Sequence, residues 1–439
     1  MVKLTGSLAN LKPSKILVAG DLMLDSYIFG KASRISPEAP VPILKVSSEK
    51  QLPGGAGNVL LNLSSLGFQP IALGRVGYDK AGDELKEILQ KEGVDVRGVI
   101  SDRRSETSIK QRIIADNQQM IRLDREEINS LSIEAEMQAI RLLPELLEGV
   151  SAIALSDYGK GFLTDTLIKE IVTQAALRNI IIIADPKGRD FQKYSGVSIL
   201  KPNKLEAYQG ASLDLNEPLD KVAEFIFEKI ALEWLVVTRS EEGISAFSRK
   251  GERIDFPVIS KQIKDVTGAG DTVLAMMTAS LGSGLTLKEA ISLSNVAAGL
   301  AIETIGCAKI SLGQMAFRLT EFDSQSKIYE EEHLFALKAA LLERPFQLLA
   351  LEGNENFSTE LFSSLQELTQ VHKMLVIYIK NENPCRKLLT LLASLQEVTF
   401  IVIKKRTLHH VVSHVKPAFV FDLNKGALNP LALQDLLYL

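Results

Sequence analysis

Histidine is the residue that most of this chain does without. None precedes His333, and all five (His333, His372, His409, His410 and His414) fall in the last quarter of the 439 residues. Chemistry in the long N-terminal part must therefore run without imidazole, which excludes a histidine-based triad and histidine-ligated zinc there. Cysteine is scarce as well: Cys307 and Cys385 make neither a disulfide framework nor a zinc pattern. No apolar run reaches transmembrane length, and the stretch from Leu389 to Leu395 is short and broken by Thr390 and Ser394. Residues Met1 to Gly6 carry no apolar leader pattern. An excess of positive charge is missing too. The formal net charge is -4, so a broad nucleic-acid surface is not expected. The expectation is a cytoplasmic protein with no membrane and no nucleic-acid partner.

What remains is ordinary globular composition, 46% hydrophobic and 24% charged, at a length that suggests two or three domains. The most informative run is Asp265-Val266-Thr267-Gly268-Ala269-Gly270-Asp271-Thr272. It leads from an extended Lys264-Asp265-Val266 through two glycines into an apolar helix, Val273 to Leu281. Glycines turn tightly and leave amide N–H groups uncovered. A helix starting there aims unpaired N–H groups and its positive dipole end at one point, an anion site suited to a phosphoryl group in transfer. Asp271 sits inside that cradle and can accept a proton from an incoming hydroxyl. The other reading is simply a capped helix after a glycine turn. The absence of histidine favours a carboxylate as proton acceptor.

Strands and helices alternate along the chain. Lys15 to Gly20, Pro70 to Val76, Ser151 to Leu155, Ile180 to Ala184, Val197 to Leu200 and Trp234 to Thr238 read as strands, and Gly243 to Phe247 as part of a hairpin. Asn58 to Leu66 and Asp79 to Glu92 read as helices. This rhythm predicts a doubly wound, mostly parallel α/β sheet whose ligands bind at the carboxyl ends of the strands. Asp21, Asp157, Asp185, Asn203 and Thr238 fall at or just after those ends. Pro40 to Gln51 and Ser108 to Asp124 break the rhythm as extra strands, expected to form a small β lid that also pairs two subunits into a homodimer. A second glycine cluster, Gly54-Gly55-Ala56-Gly57-Asn58, opens a helix and is either a tight loop or a second close approach to ligand.

In their order, Gly54 to Asn58, Lys201-Pro202-Asn203-Lys204-Leu205-Glu206 and Asp265 to Asp271 resemble the ribokinase-like (PfkB) carbohydrate kinases. The stretches Gly20 to Asp25, Ser33 to Pro42, Asn117 to Asp124, Leu155 to Gly161, Asp185 to Gly188 and Thr238 to Gly243 are similar to the heptose-7-phosphate kinases of lipopolysaccharide core synthesis. The likeness runs from about Lys15 to about Leu312. Departures are Ser26 and Asp116, where basic residues are expected, and Cys307 in place of threonine. The resemblance implies ATP- and Mg²⁺-dependent phosphorylation of D-glycero-β-D-manno-heptose 7-phosphate at its anomeric hydroxyl. It implies Asp271 as base, with Gly268, Ala269 and Gly270 stabilising the phosphoryl group. Asn203, Lys204, Leu205 and Glu206 would contact ATP, Glu206 helping to place Mg²⁺ through water, or else form an ordinary polar first helical turn. Thr238, Gly243 and Asn295 would border the nucleotide. Gly54, Gly55 and Asn58 would approach the sugar, with Asp21 and Asp25 accepting from its hydroxyls. Arg34, Arg122 and Lys187 are candidates for the 7-phosphate, or are solvated or salt-bridged. A kinase for another sugar or nucleoside, or a scaffold, is the competing expectation.

The last hundred residues differ. After the polar Asp323 to Lys327, the sequence predicts a helix from Ile328 to Glu343. Strands follow at Phe346 to Leu351, Lys373 to Ile379, Val398 to Ile403 and Ala418 to Phe421. The expected division is a kinase domain over 1–325 and a smaller nucleotidyltransferase-like Rossmannoid α/β domain over 326–439. Leu391 to Val402 and Val415 to Val420 resemble the adenylyltransferase half of the bifunctional heptose kinase/adenylyltransferases. That family carries a His-x-Gly-His motif after its first strand. Here Leu351 to Phe362 stands in its place without histidine, which implies a degenerate module inactive in AMP transfer. His410 and His414 are spaced to share a metal, but no third ligand is evident.

Overall fold

The computed structural model describes residues 4–431 apart from 117, 258–264, 305, 307, 323–326, 331–333, 342–344, 354–357, 372–373, 406, 425–426. The expected extended Lys264, the departure at Cys307 and the 325/326 boundary lie outside the described residues, as do His333 and His372. The chain divides into two compact units, Leu11–Ser311 and Met1–Asn10 together with Leu312–Leu439. The helix Leu4–Ala9 packs on the helices Leu312–Phe322 and Leu334–Leu341, which is why the N-terminus groups with the second unit.

The larger unit holds twelve strands: β1 (Lys15–Ile35), β2 (Pro42–Gly55), β3 (Gln69–Gly77), β4 (Asp95–Asp102), β5 (Ser108–Ala115), β6 (Gln118–Arg125), β7 (Val150–Ser156), β8 (Ile181–Asp185), β9 (Ile199–Leu200), β10 (Trp234–Thr238), β11 (Ile244–Ser248) and β12 (Arg253–Phe256). Nine of them lie in the order β12-β11-β10-β9-β8-β7-β1-β3-β4. All neighbours pair in parallel except β10 with β11 and β11 with β12. Unbroken apolar runs make this possible. Ile16, Leu17, Val18 and Ala19 are all buried, as a strand covered on both faces requires. The helix Ala269–Gly282 is buried on every side from Asp271 to Ser280 and packs on β7 and β8, so it belongs to the interior.

β1 does not stop at Gly20 as expected. It leaves the central sheet, where Lys15 to Asp21 pair with β3, and continues as the middle of the lid. There Leu22 to Ile35 pair antiparallel with β2, and Met23 to Gly30 pair parallel with β5. β6 closes the lid antiparallel to β5. Met23 and Leu24 remain buried beyond the main sheet, so nothing in the local pattern marks where one sheet hands the strand to the other.

The second unit has its own six-stranded sheet: β13 (Ile328–Glu330), β14 (Gln347–Leu351), β15 (Leu375–Ile379), β16 (Phe400–Ile403), β17 (Phe419–Asn424) and β18 (Ala427–Pro430), in the order β13-β16-β15-β14-β17-β18. All neighbours are parallel except β17 with β18. The helix expected from Ile328 is corrected: Ile328–Glu330 is an edge strand on β16, and the helix begins at Leu334. Tyr329 is buried edge-on against Phe400, so a long-range packing partner overrides the local helical pattern.

Candidate active site

The carboxyl ends of β1, β7, β8, β9 and β10 come to one edge, because Gly20 pairs with Ser156, Ser156 with Asp185, Ala184 with Leu200 and Leu200 with Leu235. The helix Ala269–Gly282 starts at this edge. Its N-cap Gly268 has φ 77°, a left-handed conformation that glycine adopts without strain. The preceding Asp265 pins the turn, accepting from Thr267 N at 2.9 Å, Thr267 Oγ1 at 2.7 Å and Gly306 N at 2.9 Å.

Asp271 lies in the first turn of that helix and is 3% exposed. Tyr158 donates its hydroxyl to Oδ1 at 2.7 Å, and Asn58 donates Nδ2 to Oδ2 at 3.0 Å. Asn62 fixes the Asn58 amide in turn, donating to Asn58 O at 3.0 Å and to Oδ1 at 3.2 Å. Burial pushes the Asp271 carboxyl up to about 7. The Asn58 and Tyr158 donors oppose the rise, nearby Asp185 adds to it and Lys201 reduces it. A carboxylate that titrates near neutrality, held by two oriented donors beside a helix N-terminus, has the character of a general base.

On the other side of Gly270 lies a buried ion pair, Lys201 Nζ to Asp185 Oδ2 at 2.8 Å. Burial lifts Asp185 to about 6 against the pull of Lys201. The segment Asn203 to Glu206 caps the helix Lys204–Ala211 in a reciprocal box: Glu206 N donates to Asn203 Oδ1 at 2.9 Å and Asn203 N to Glu206 Oε2 at 3.1 Å. Leu205 is exposed and Lys204 reaches Glu242 at 2.9 Å. Thr238 bridges to Asn203, and Gly243 O accepts from Arg239 N at 2.7 Å. Asn295 donates to Pro257 O at 2.6 Å. Among the described residues no group of three or more His, Cys, Asp or Glu forms a ready metal cluster.

Gly55, at φ 56°, caps the helix Ala56–Ser65, and a Cβ there would lie 2.7 Å from Asp21 O; this explains part of the second glycine cluster. Gly54 lies against Asp25. Asp21 is differently occupied from the sequence expectation. Its carboxylate accepts the backbone N–H groups of Tyr158, Lys160 and Phe162 at 2.8 to 3.2 Å, so it shapes the loop that carries Tyr158. Asp25 pairs with Arg112 of β5 at 2.5 Å. The three expected phosphate cations do not converge. Arg34 is exposed nine residues beyond Asp25 on the same strand, about 30 Å at ordinary strand rise. Arg122 is exposed on β6 and bonds to Asp124 at 2.9 Å. Lys187 pairs with Glu206 at 2.6 Å, beside the helix-capping box and not on the lid. Tyr158, Lys201 and Arg112 were assigned no role from the sequence. The first two stand inside quoted runs, Leu155 to Gly161 and Lys201 to Glu206, and only the fold shows which atom each one meets.

In the second unit, the carboxyl edge of β14, β15 and β17 holds Lys380 between Glu352 at 2.9 Å and Asp422 at 2.8 Å. Glu360 is in the first turn of the helix Thr359–Val371, while residues 354–357 of the preceding loop lie outside the described residues. The rings of His410 and His414 lie tilted at 51° with centroids 4.2 Å apart, and His414 Nδ1 is 2.8 Å from the His410 carbonyl oxygen. No helix among the described residues is long and apolar enough to cross a membrane.

Residues 13–312 match the pfkB family of carbohydrate kinases. Among curated relatives, the bifunctional protein HldE of Trichlorobacter lovleyi is 39% identical over 343 residues, which is 77% of this chain and 70% of that protein. The bifunctional protein HldE of Aliarcobacter butzleri is 34% identical over 435 residues, 92% of this chain and 89% of its own length. Among solved structures, phosphofructokinase-2 from Escherichia coli in complex with potassium superimposes with a TM-score of 0.60 at 19% identity, covering 71% of this chain and all of the other. Arabidopsis thaliana ribokinase complexed with ribose and ATP gives 0.55 at 18%, covering 70% of this chain and 99% of that one. The fold of the larger unit is thus ribokinase-like, and the chain belongs to the pfkB family of carbohydrate kinases.

Proposed function

We propose that this kinase transfers the γ-phosphoryl group of ATP to the anomeric hydroxyl of D-glycero-β-D-manno-heptose 7-phosphate, giving the 1,7-bisphosphate. The observation that carries the reading is Asp271: buried, held by Asn58 and Tyr158, and aligned with a glycine-capped helix N-terminus. Identity of about 40% to proteins named HldE directs the choice of sugar. Asp271 takes the hydroxyl proton as the sugar oxygen forms its bond to phosphorus and the bond to the ADP oxygen breaks. The N–H groups of Gly268 to Gly270 face the transferring group, and Lys201 offers a positive charge beside them. Asp185 and Glu206 are two carboxylates close enough to act on each other, a donor set that suits a largely hydrated Mg²⁺. Such an ion neutralises phosphate charge when bound. Asn203 to Glu206, Thr238 to Gly243 and Asn295 border the nucleotide.

The lid carries Ile35, Val41, Val46, Met120, Ile121 and Leu123 exposed, an apolar surface that suits pairing with the lid of a second copy. The second unit does not transfer AMP in this reading. The sole lysine ion-paired at its described sheet edge is already matched by Glu352 and Asp422, and Glu360 adds negative charge where a triphosphate would bind. The deciding experiment is ADP release from ATP with a panel of sugars and sugar phosphates. Turnover strongest with the heptose 7-phosphate is expected; turnover with another sugar and none with the heptose refutes the assignment.

A further inference from the structure

The phosphate that the substrate already carries needs a cation on the acceptor side of Asp271; of the three expected cations, Arg34 and Arg122 are exposed on the lid and Lys187 is paired with Glu206. The cations that do surround the site are nearly all committed. Arg112 is bound to Asp25, Lys160 to Glu126 at 2.7 Å, Lys187 to Glu206 and Lys201 to Asp185. Arg75 donates to the backbone carbonyls of Asn129 and Lys160 at 2.9 and 2.8 Å. Lys110 differs. It is half-buried on β5, in register beside Asp25 of β1, and its Nζ lies 5.9 Å from the centroid of the Tyr158 ring. The hydroxyl of that same ring donates to Asp271. Among the described residues no carboxylate pairs with Lys110. Lys110 therefore brings an ammonium to the ring that bonds Asp271, held by an aromatic face that attracts it without discharging it, while Asp25 and Asp124 flank it in register without an ion pair to it.

We propose that Lys110 holds the phosphate already present on the sugar and so sets the preference for a phosphorylated acceptor; this rests on the sugar-phosphate reading above. A lysine suits the task as a compact point charge, and its place on the lid strand ties phosphate recognition to the element that covers the sugar.

The test compares wild type, Lys110→Met and Lys110→Arg on the heptose 7-phosphate, the unphosphorylated heptose and ATP. Expected for Lys110→Met is a KM for the phosphorylated sugar raised about 10- to 100-fold, the loss of one charged contact. KM for the unphosphorylated sugar and for ATP should stay at the wild-type values, and Lys110→Arg should recover most of the loss. A KM increase of equal size for both sugars would mean a merely structural lid residue and overturn the proposal. So would an increase confined to ATP, or no increase. If wild type turns over a different sugar phosphate, the heptose assignment fails alone, and the same comparison on that sugar with and without its phosphate decides Lys110. If wild type accepts only unphosphorylated sugars, both readings fall.

Discussion

Removing the Tyr158 hydroxyl should move the pH dependence of the kinase without removing its base. Asp271 titrates at about 7 because burial outweighs two donated hydrogen bonds. Tyr158→Phe deletes one of the two and keeps the ring that packs beside Gly55 and Lys110. A hydrogen bond to a charged group is worth about 1.5–3 kcal/mol, and one pKa unit corresponds to about 1.4 kcal/mol. The carboxyl should therefore rise by about one to two units, since its burial leaves little solvent to screen the change. The sign is fixed by which form the hydroxyl prefers: it donates to the carboxylate, so its loss penalises the ionised base and favours the proton.

The measurable is the acid limb of kcat/KM, which reports the free enzyme. Coupled ADP release across about pH 6 to 10 should show the wild-type limb near 7 and the Tyr158→Phe limb near 8 to 9, with the plateaus agreeing to within a few-fold. At neutral pH, where the wild type is itself half protonated, the variant is then about 5- to 50-fold slower, and raising the pH restores it. Titration of ATP itself is common to both proteins and cancels in the comparison. An unmoved limb, or a loss of the same factor at every pH, would refute the claim that Tyr158 acts through the charge of Asp271.

Asp271→Asn should lower turnover by about two to four orders of magnitude while calorimetric ATP binding persists; turnover near wild type would end the base assignment. The same variant should be more stable than wild type above neutral pH, because a folded-state pKa raised from 3.8 to about 7 disfavours the fold increasingly as pH rises through that window, with a ceiling of about 4 kcal/mol. A melting-temperature advantage that did not grow with pH would contradict it. Ile121→Glu on β6 should shift sedimentation from dimer to monomer if the lids pair; an unchanged sedimentation coefficient, or a wild type that is already a monomer, refutes the lid dimer. With ATP and the heptose 1-phosphate, the full chain should release pyrophosphate only at background rate, and sustained release would show that the second unit is active.

The larger sheet was legible because parallel strands buried on both faces are continuous apolar runs, and Trp234 to Thr238 even kept its bounds. The place of Asp271 was legible because the two glycines mark the turn that opens its helix. What stayed hidden was pairing at a distance. Asp21 has the look of a sugar ligand in the sequence, and its oxygens also accept three N–H groups of the 158–162 loop, a second use set by the return of that loop from β7. Ile328 to Glu330 carry a helical pattern, but a free edge on β16 claims them. β4 was missed because its burial alternates and it contains Gly98, whose Cβ would clash with Ala72 O in the neighbouring strand.

The continuity of β1 gives the site its logic. One strand carries Asp21 at the end of the central sheet and Asp25 at the start of the lid. Asp21 anchors the loop that brings Tyr158 to Asp271, and Asp25 holds Arg112 on the strand that brings Lys110 to Tyr158. The ring of Tyr158 is thus touched by the base on one side and by the lid on the other. A lid that moves relative to the central sheet must bend β1 between Asp21 and Asp25, where Leu22, Met23 and Leu24 are all buried. Bending there disturbs packed side chains, so lid position and the setting of the base are mechanically joined. This linkage brings a cation on the lid and a hydroxyl beneath it to the same site, although neither is adjacent to Asp271 in the sequence.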